Sequence, residues 1–160
     1  MKARISEAVS VRRLIPADKK RIFAAFCSAE AVSAWFSPHA DIAVQPQTYE
    51  FAPGGRFRLR YTMPDGSQPV VGGEFEEIRE ATRIVFTWIW EAPDPHADIP
   101  TRVTVELLTK DRGTEVVITH EQLPREDFCA RYRAGWEGTL SRLSRFLNGQ
   151  NEAFREATNA

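Results

Sequence analysis

The segment PREDFCARYRAGWEGTLSRLSRFL, residues 124–147, carries the longest apolar stripe in this chain. Phe128, Tyr132, Trp136, Leu140, Leu143 and Leu147 recur in it at steps of four and three, the spacing at which side chains share one helix face. The pattern predicts one long helix from Pro124 to about Leu147. The pair Asn148-Gly149 suits a left-handed cap that would stop it. Gly135 and Gly138 sit on either side of Trp136, so the stripe is shallow beside its largest ring. A helix this bulky on one face needs an apolar partner surface.

Upstream of it, the period shortens from near four to two. Phe57, Leu59 and Tyr61 alternate with Arg56, Arg58 and Arg60, as in a strand with one dry face. Ile84, Phe86, Trp88 and Trp90 share one face of a later strand, with Val85, Thr87 and Ile89 on the other. Val103, Val105 and Leu107 repeat the pattern, and Thr114 to Glu121 closes a hairpin through Asp111-Arg112-Gly113. Asp65-Gly66 marks another hairpin. A first strand covers residues 5–15, followed by a short helix opened by Pro16 and a second one capped by Ser28. Sheet and helix residues are segregated along the chain, which argues an α+β fold. About six to seven antiparallel strands form a curved sheet around the C-terminal helix, with two short helices after the first strand. Residues 1–149 read as a single domain and 150–160 as a tail, partly ordered at most.

Composition sets limits on function. The 160 residues carry a formal net charge of -1, so there is no basic excess to attract a phosphate backbone, and nucleic acid is not an expected partner. No run approaches the length of a membrane span, and Met1 to Glu7 contains no apolar leader core; a cytoplasmic location is expected. Cys27 and Cys129, the two cysteines, fall in helical patterns and are read as small buried apolar residues. No nucleophile elbow, phosphate loop, dinucleotide fingerprint or zinc spacing occurs, so neither a cofactor nor a metal is expected. Asp94, His96 and Asp98 alternate in the proline-rich segment Glu91 to Pro100, a weak cation site at most.

Several short motifs occur in a definite order. They are Pro16-Ala17-Asp18-Lys19-Lys20-Arg21-Ile22-Phe23, Ala34-Trp35-Phe36, Pro53-Gly54-Gly55-Arg56-Phe57, Asp65-Gly66 and Gly73-Glu74-Phe75. Arg83-Ile84-Val85-Phe86-Thr87-Trp88, Gly113-Thr114-Glu115-Val116, Thr119-His120-Glu121 and Gly135-Trp136-Glu137-Gly138 follow. In that order the chain resembles the homologues of the activator of the 90-kDa heat-shock protein ATPase. That family lies within the helix-grip superfamily of START lipid-transfer domains, the birch-pollen allergen and polyketide cyclases. The resemblance implies a deep cavity between sheet and C-terminal helix, but no ligand and no fixed catalytic signature. The Glu91 to Pro100 connection is longer than the usual one and is expected near the cavity mouth.

The candidate cavity residues come from three places. Trp35 and Phe36 end the second short helix. Phe57, Leu59, Tyr61, Phe75, Phe86, Trp88, Trp90, Val105 and His120 lie on the dry faces of strands. Tyr132, Trp136 and Leu140 come from the long helix. Ordinary core packing accounts for such rings equally well. Tyr61, Trp88 and Trp136 stand out because each has a polar tip that needs a partner when buried. His120, in phase with Val116 and Ile118, is either an inward acid or base or a core histidine satisfied by a neighbour. Glu76 and Glu77 should point to opposite faces of their strand. Three functions stay open: a binder of a small hydrophobic or aromatic molecule, a chaperone-ATPase co-factor acting through its surface, and a cyclase- or hydrolase-type enzyme using His120 or Tyr61. The chain is expected as a monomer or homodimer, with the Val85, Thr87, Ile89 face as a contact.

Overall fold

The computed structural model describes the backbone of residues 7–159 and the side chains of residues 7–149. Seven strands form one antiparallel sheet: β1 (Glu7–Ile15), β2 (Ala43–Tyr49), β3 (Arg56–Thr62), β4 (Val70–Arg79), β5 (Arg83–Trp90), β6 (Thr101–Lys110) and β7 (Gly113–Leu123). Their spatial order is β1-β7-β6-β5-β4-β3-β2. Strands β2 to β7 therefore run as a meander of neighbours, and only β1 crosses over to pair with the last strand. Helices α1 (Lys19–Ala24) and α2 (Ala29–Trp35) fill that crossover, and α3 (Glu126–Asn159) follows β7. The sheet curves around α3, which packs on β1, β7 and α2. This is the helix-grip arrangement.

Local chemistry explains the boundaries. The Asp18 carboxylate accepts from the Arg21 amide at 2.9 Å, so it is the N-cap of α1. The Ser28 hydroxyl accepts from Ala31 N at 3.1 Å and caps α2. Pro46 lies on β2, the sheet edge, where its missing N–H costs no ladder bond. Gly113 opens β7 with φ 143°; a Cβ there would overlap the Ile15 carbonyl, so the tight β6–β7 turn needs glycine.

Three expectations are corrected. Helix α3 starts at Glu126 and does not stop at Asn148-Gly149; its backbone stays helical to Asn159. Gly149 is not left-handed, so no cap forms, and a glycine penalty of about 1 kcal/mol does not end a helix followed by Glu, Ala and Arg. Residues 150–159 therefore continue α3 rather than forming a separate tail. Glu76 and Glu77 do not straddle the sheet. The register shifts between Phe75 and Glu77, and this bulge sends both carboxylates to the outer face, Glu76 onto Arg102 and Glu77 onto Arg83, each at 2.8 Å. Neither cysteine is buried. Cys27 is exposed after α1 and Cys129 is half-buried on α3. The outer face of β5 is partly covered within the chain, with Val85 buried and the Thr87 hydroxyl accepting from Glu74 N at 2.9 Å.

Candidate functional site

The interior between sheet and helix has a filled half and an open half that meet at Trp88, which borders both. Helix α2 ends at Phe36, whose backbone turns out of the helical region (φ -79°, ψ 63°). Its ring swings inward against Trp88 and Trp136, with centroids 6.2 and 5.8 Å away. In one half the space is filled. Phe26, Phe57, Phe75 and Phe86 interlock there with Val32 and Leu59 around a void of only about 20 Å³. Trp35 packs edge-on against Phe26 at 5.0 Å and donates its indole N–H to the Ala25 carbonyl at 3.0 Å.

In the other half the space is open. Tyr61, Trp88, Trp90, Tyr132 and Trp136 enclose a cavity of about 320 Å³, within the range of about 300–1,000 Å³ typical of small-molecule sites. Pro38, His39 and Ile42 from the α2–β2 loop, Met63 and Pro69 from the β3–β4 hairpin, and Arg131, Ala134, Gly135 and Thr139 from α3 complete it. Exposed His39 and Ala134 mark the mouth. The small residues at 134 and 135 leave room where a larger pair would close the helix onto the sheet; a Cβ on Gly135 would meet nothing within 4 Å. One turn on, the opposite holds, because a Cβ on Gly138 would overlap the Pro38 carbonyl. Ser37 holds this loop in place. Its hydroxyl donates to the Ile42 carbonyl at 2.8 Å and accepts from Arg142. Beyond the loop, Arg142, Arg145 and Phe146 border a separate surface cleft.

The structure thus brings Tyr61, Trp88, Trp90, Tyr132 and Trp136 together at the cavity. Trp35, Phe36, Phe57, Leu59, Phe75 and Phe86 belong to the filled half. Val105 and Leu140 are core residues without a place on the cavity wall, and His120 lies behind it. Pro38, Ile42, Met63, Pro69 and Arg131 have no periodic signal; the small pair Ala134-Gly135 inside a bulky stripe was the available sequence sign of the opening.

The polar groups behind the wall form a closed chain. Trp136 Nε1 donates to His120 Nδ1 at 3.0 Å. An indole nitrogen can only donate, so Nδ1 carries no proton and Nε2 carries one. His120 Nε2 then donates to Thr101 Oγ1 at 2.7 Å, and that hydroxyl donates to the Trp88 carbonyl at 2.7 Å. His120 is fully buried, and burial lowers its pKa to about 3. Protonating Nδ1 would set two N–H groups against each other. The reading of His120 as an acid or base therefore gives way to the core reading: both ring nitrogens are engaged. Tyr61 is engaged likewise, donating to the Phe36 carbonyl at 3.2 Å; burial raises its pKa.

At the mouth, Arg131 lies over the Trp90 ring, 4.7 Å from its centroid, and makes two bonds to the Asp94 carboxylate at 2.9 and 2.8 Å. Burial pushes Asp94 up, but the Arg131 guanidinium and the His96 amide outweigh it and hold the carboxyl below its usual range. Asp94 is thus committed to Arg131, and Asp94, His96 and Asp98 form no ligand set; among the described residues no cluster of three such side chains is placed to hold an ion. His96 stacks on Phe128 with centroids 3.5 Å apart. The Glu91 to Pro100 loop does not itself line the cavity. It reaches the mouth through Arg131.

Residues 16–148 match the profile of a family described as Activator of Hsp90 ATPase homolog 1-like protein. Comparison with curated proteins finds no match. Solved structures with the same fold include the AHSA1 protein from Silicibacter pomeroyi, 18% identical over 90% of this chain and 99% of that one, with a TM-score of 0.79. A Chromobacterium violaceum protein is 20% identical over 88% of this chain and 96% of its own, with a TM-score of 0.75. An AHSA1-like protein from Aeromonas hydrophila is 20% identical over 91% and 94%, with a TM-score of 0.74. At these identities the likeness is one of fold.

Proposed function

We propose that this chain, which belongs to the Activator of Hsp90 ATPase homolog 1-like family, binds a small hydrophobic or aromatic molecule in the interior cavity. The observation that carries this reading is the unfilled space of about 320 Å³ walled by three tryptophans and two tyrosines. A folded core normally closes such a void, because unfilled volume forfeits dispersion contacts. The other half of the same interior is closed by side chains of the same kind. A wall of aromatic faces with a few polar tips is the composition of small-molecule sites.

The family name brings a second reading, a co-factor of a chaperone ATPase acting through its surface. Such a surface would expose a contiguous apolar patch; among the described residues the exposed large hydrophobics are Leu14 and Leu108. Catalysis in the cavity is the third reading, and it lacks a free acid or base in His120 or Tyr61. The deciding experiment is native mass spectrometry of protein purified from its own host. A co-purifying small apolar molecule is expected, and it should be lost from Gly135→Leu, whose side chain would project into the open space at the mouth. A bound ATPase with no small molecule would overturn the proposal in favour of the second reading.

A further inference from the structure

A surface cleft of about 510 Å³ opens between α3 and the segment that follows α2, beside the close approach of Gly138 to the Pro38 carbonyl. The charged side chains that line it are all cationic. Arg142 and Arg145 border it together with the His39 imidazole, and no carboxylate does. Elsewhere this chain pairs its arginines closely: Arg58 with Glu91, Arg83 with Glu77, Arg102 with Glu76 and Arg131 with Asp94, at 2.7–2.8 Å. Neither Arg142 nor Arg145 is in an ion pair among the described residues. Arg142 donates instead to two neutral acceptors, the Ser37 hydroxyl and, at 3.3 Å, the Ala34 carbonyl. Those bonds fix the guanidinium at the cleft without cancelling its charge. Arg145 is exposed and has no hydrogen-bond partner among the described residues. Like charges three residues apart on one helix repel, and an anion between them would remove that repulsion.

We infer that this cleft is a second binding site, for a small organic anion of the phosphate-monoester type. The inference goes beyond the interior cavity and does not rest on it. A phosphate monoester carries a charge of about −1.5 to −2 at pH 7 and three strong acceptor oxygens, which match two guanidinium groups that donate in forks. The Ser141 hydroxyl and the His39 ring stand in the same lining and can donate to the remaining lone pairs. The organic part follows from the rest of the wall. Phe146 and Pro38 offer apolar surface, and the space is far larger than a phosphate group fills. A cation would be repelled, and a neutral molecule would leave both charges unmatched. A carboxylate brings one charge and one fork to two guanidiniums. An acidic protein segment would spread its carboxylates along a surface, whereas these two arginines border one concave space closed by the end of α2 and the loop after it.

The test titrates phenyl phosphate, inorganic phosphate and a tetraglutamate peptide into the whole chain at constant ionic strength, followed in ¹H–¹⁵N spectra. Phenyl phosphate should shift the backbone amides from Gly138 to Phe146 and the Arg145 Nε–H. The indole N–H signals of Trp90 and Trp136, at the interior cavity, should stay in place. Phenyl phosphate should bind about tenfold more tightly than inorganic phosphate, the gain from covering part of the Phe146 ring. Arg145→Gln should weaken it about tenfold, the equivalent of one hydrogen bond to a charged group, with thermal unfolding unchanged. Arg142→Gln would also release the loop at Ser37, so Arg145 carries the test. Equal affinity of Arg145→Gln and the unaltered protein would overturn the inference. So would the absence of any shift at about 10 mM probe, where a millimolar site is filled. Shifts confined to the indole signals would move the probe to the interior cavity and overturn the cleft as its site. Inorganic phosphate binding as tightly as phenyl phosphate would overturn the organic class and leave a site for the free ion. Tighter binding of tetraglutamate would overturn the small-molecule class in favour of an acidic protein partner. None of these outcomes bears on the cavity proposal, whose own test is the co-purifying apolar molecule.

Discussion

The two halves of the interior are built from the same kind of residue and end differently. In one, phenylalanines close around about 20 Å³; in the other, tryptophans and tyrosines stand around about 320 Å³. The difference lies in what faces the sheet. The filled half is met by α2 and by Phe36 and Phe26, bulky groups that interlock edge to face. The open half is met by α3 where it carries Ala134 and Gly135. It also differs in polar content: three of its rings carry N–H groups and two carry hydroxyls. An aromatic-rich interior is thus no sign of a chamber in itself. The chamber appears where small helix residues meet rings with polar tips.

Trp35→Ala should give the largest effect, a loss of about 3–5 kcal/mol in urea unfolding, with unchanged affinity for the uncharged reporter N-phenyl-1-naphthylamine. A change in reporter affinity would join the two halves into one space. Trp136→Ala should cost about 3 kcal/mol, at the lower end for large-to-small changes because the ring already borders a void. It should also change reporter affinity; a stability loss alone would put Trp136 in the core and break the contrast.

The next effect is one of pH. His120 has its folded pKa lowered to about 3 by burial, below the ordinary unfolded value near 6.5. As pH falls, the unfolded chain takes up this proton first, so the contribution is complete above about 6.5 and is lost progressively towards about 3. Between pH 7 and 5 this amounts to about 2 kcal/mol, at about 1.4 kcal/mol per pH unit below the unfolded value. Urea titrations at the two pH values should show that slope in the unaltered protein and lack it in His120→Gln. Equal slopes would mean that the chain from Trp136 through His120 to Thr101 opens readily.

Gly135 and Gly138 of α3 provide the smallest and sharpest contrast. Gly138→Ala should destabilise by about 1–3 kcal/mol, since its Cβ has to displace the Pro38 carbonyl. Gly135→Ala, with open space at its Cβ, should stabilise by about 0.5–1 kcal/mol through helix propensity alone. Thermal unfolding of the pair reads both signs; the same sign for both would erase the distinction between the packed and open ends of the helix.

Much of the architecture was legible because it follows from periodicity. Phe57, Leu59 and Tyr61 are buried while Arg56 and Arg58 are exposed, as alternation requires. The stripe from Phe128 to Leu147 is buried at every position. What periodicity could not show was the bulge at Glu76, where one extra residue reverses the phase of the strand. Nor could it show the run of α3 past Gly149, because a cap depends on a left-handed backbone and not on the residue pair alone. The candidate site was legible by half. A dry face identifies Tyr61, Trp88, Trp90, Tyr132 and Trp136 as inward, and equally identifies Phe57, Phe75 and Phe86. Which of them border empty space depends on residues distant in sequence, Phe26 and Phe36 on the filled side and Ala134 and Gly135 on the open one.

By itself, the sequence determined the element types, the faces they bury and the family, since these rest on local spacing and on the order of motifs along one chain. Tertiary structure alone decided that half of the interior stays open and that His120 is bonded on both nitrogens. Those outcomes depend on which distant side chains reach a point in space and which fall short, and a void leaves no residue in the sequence to mark it.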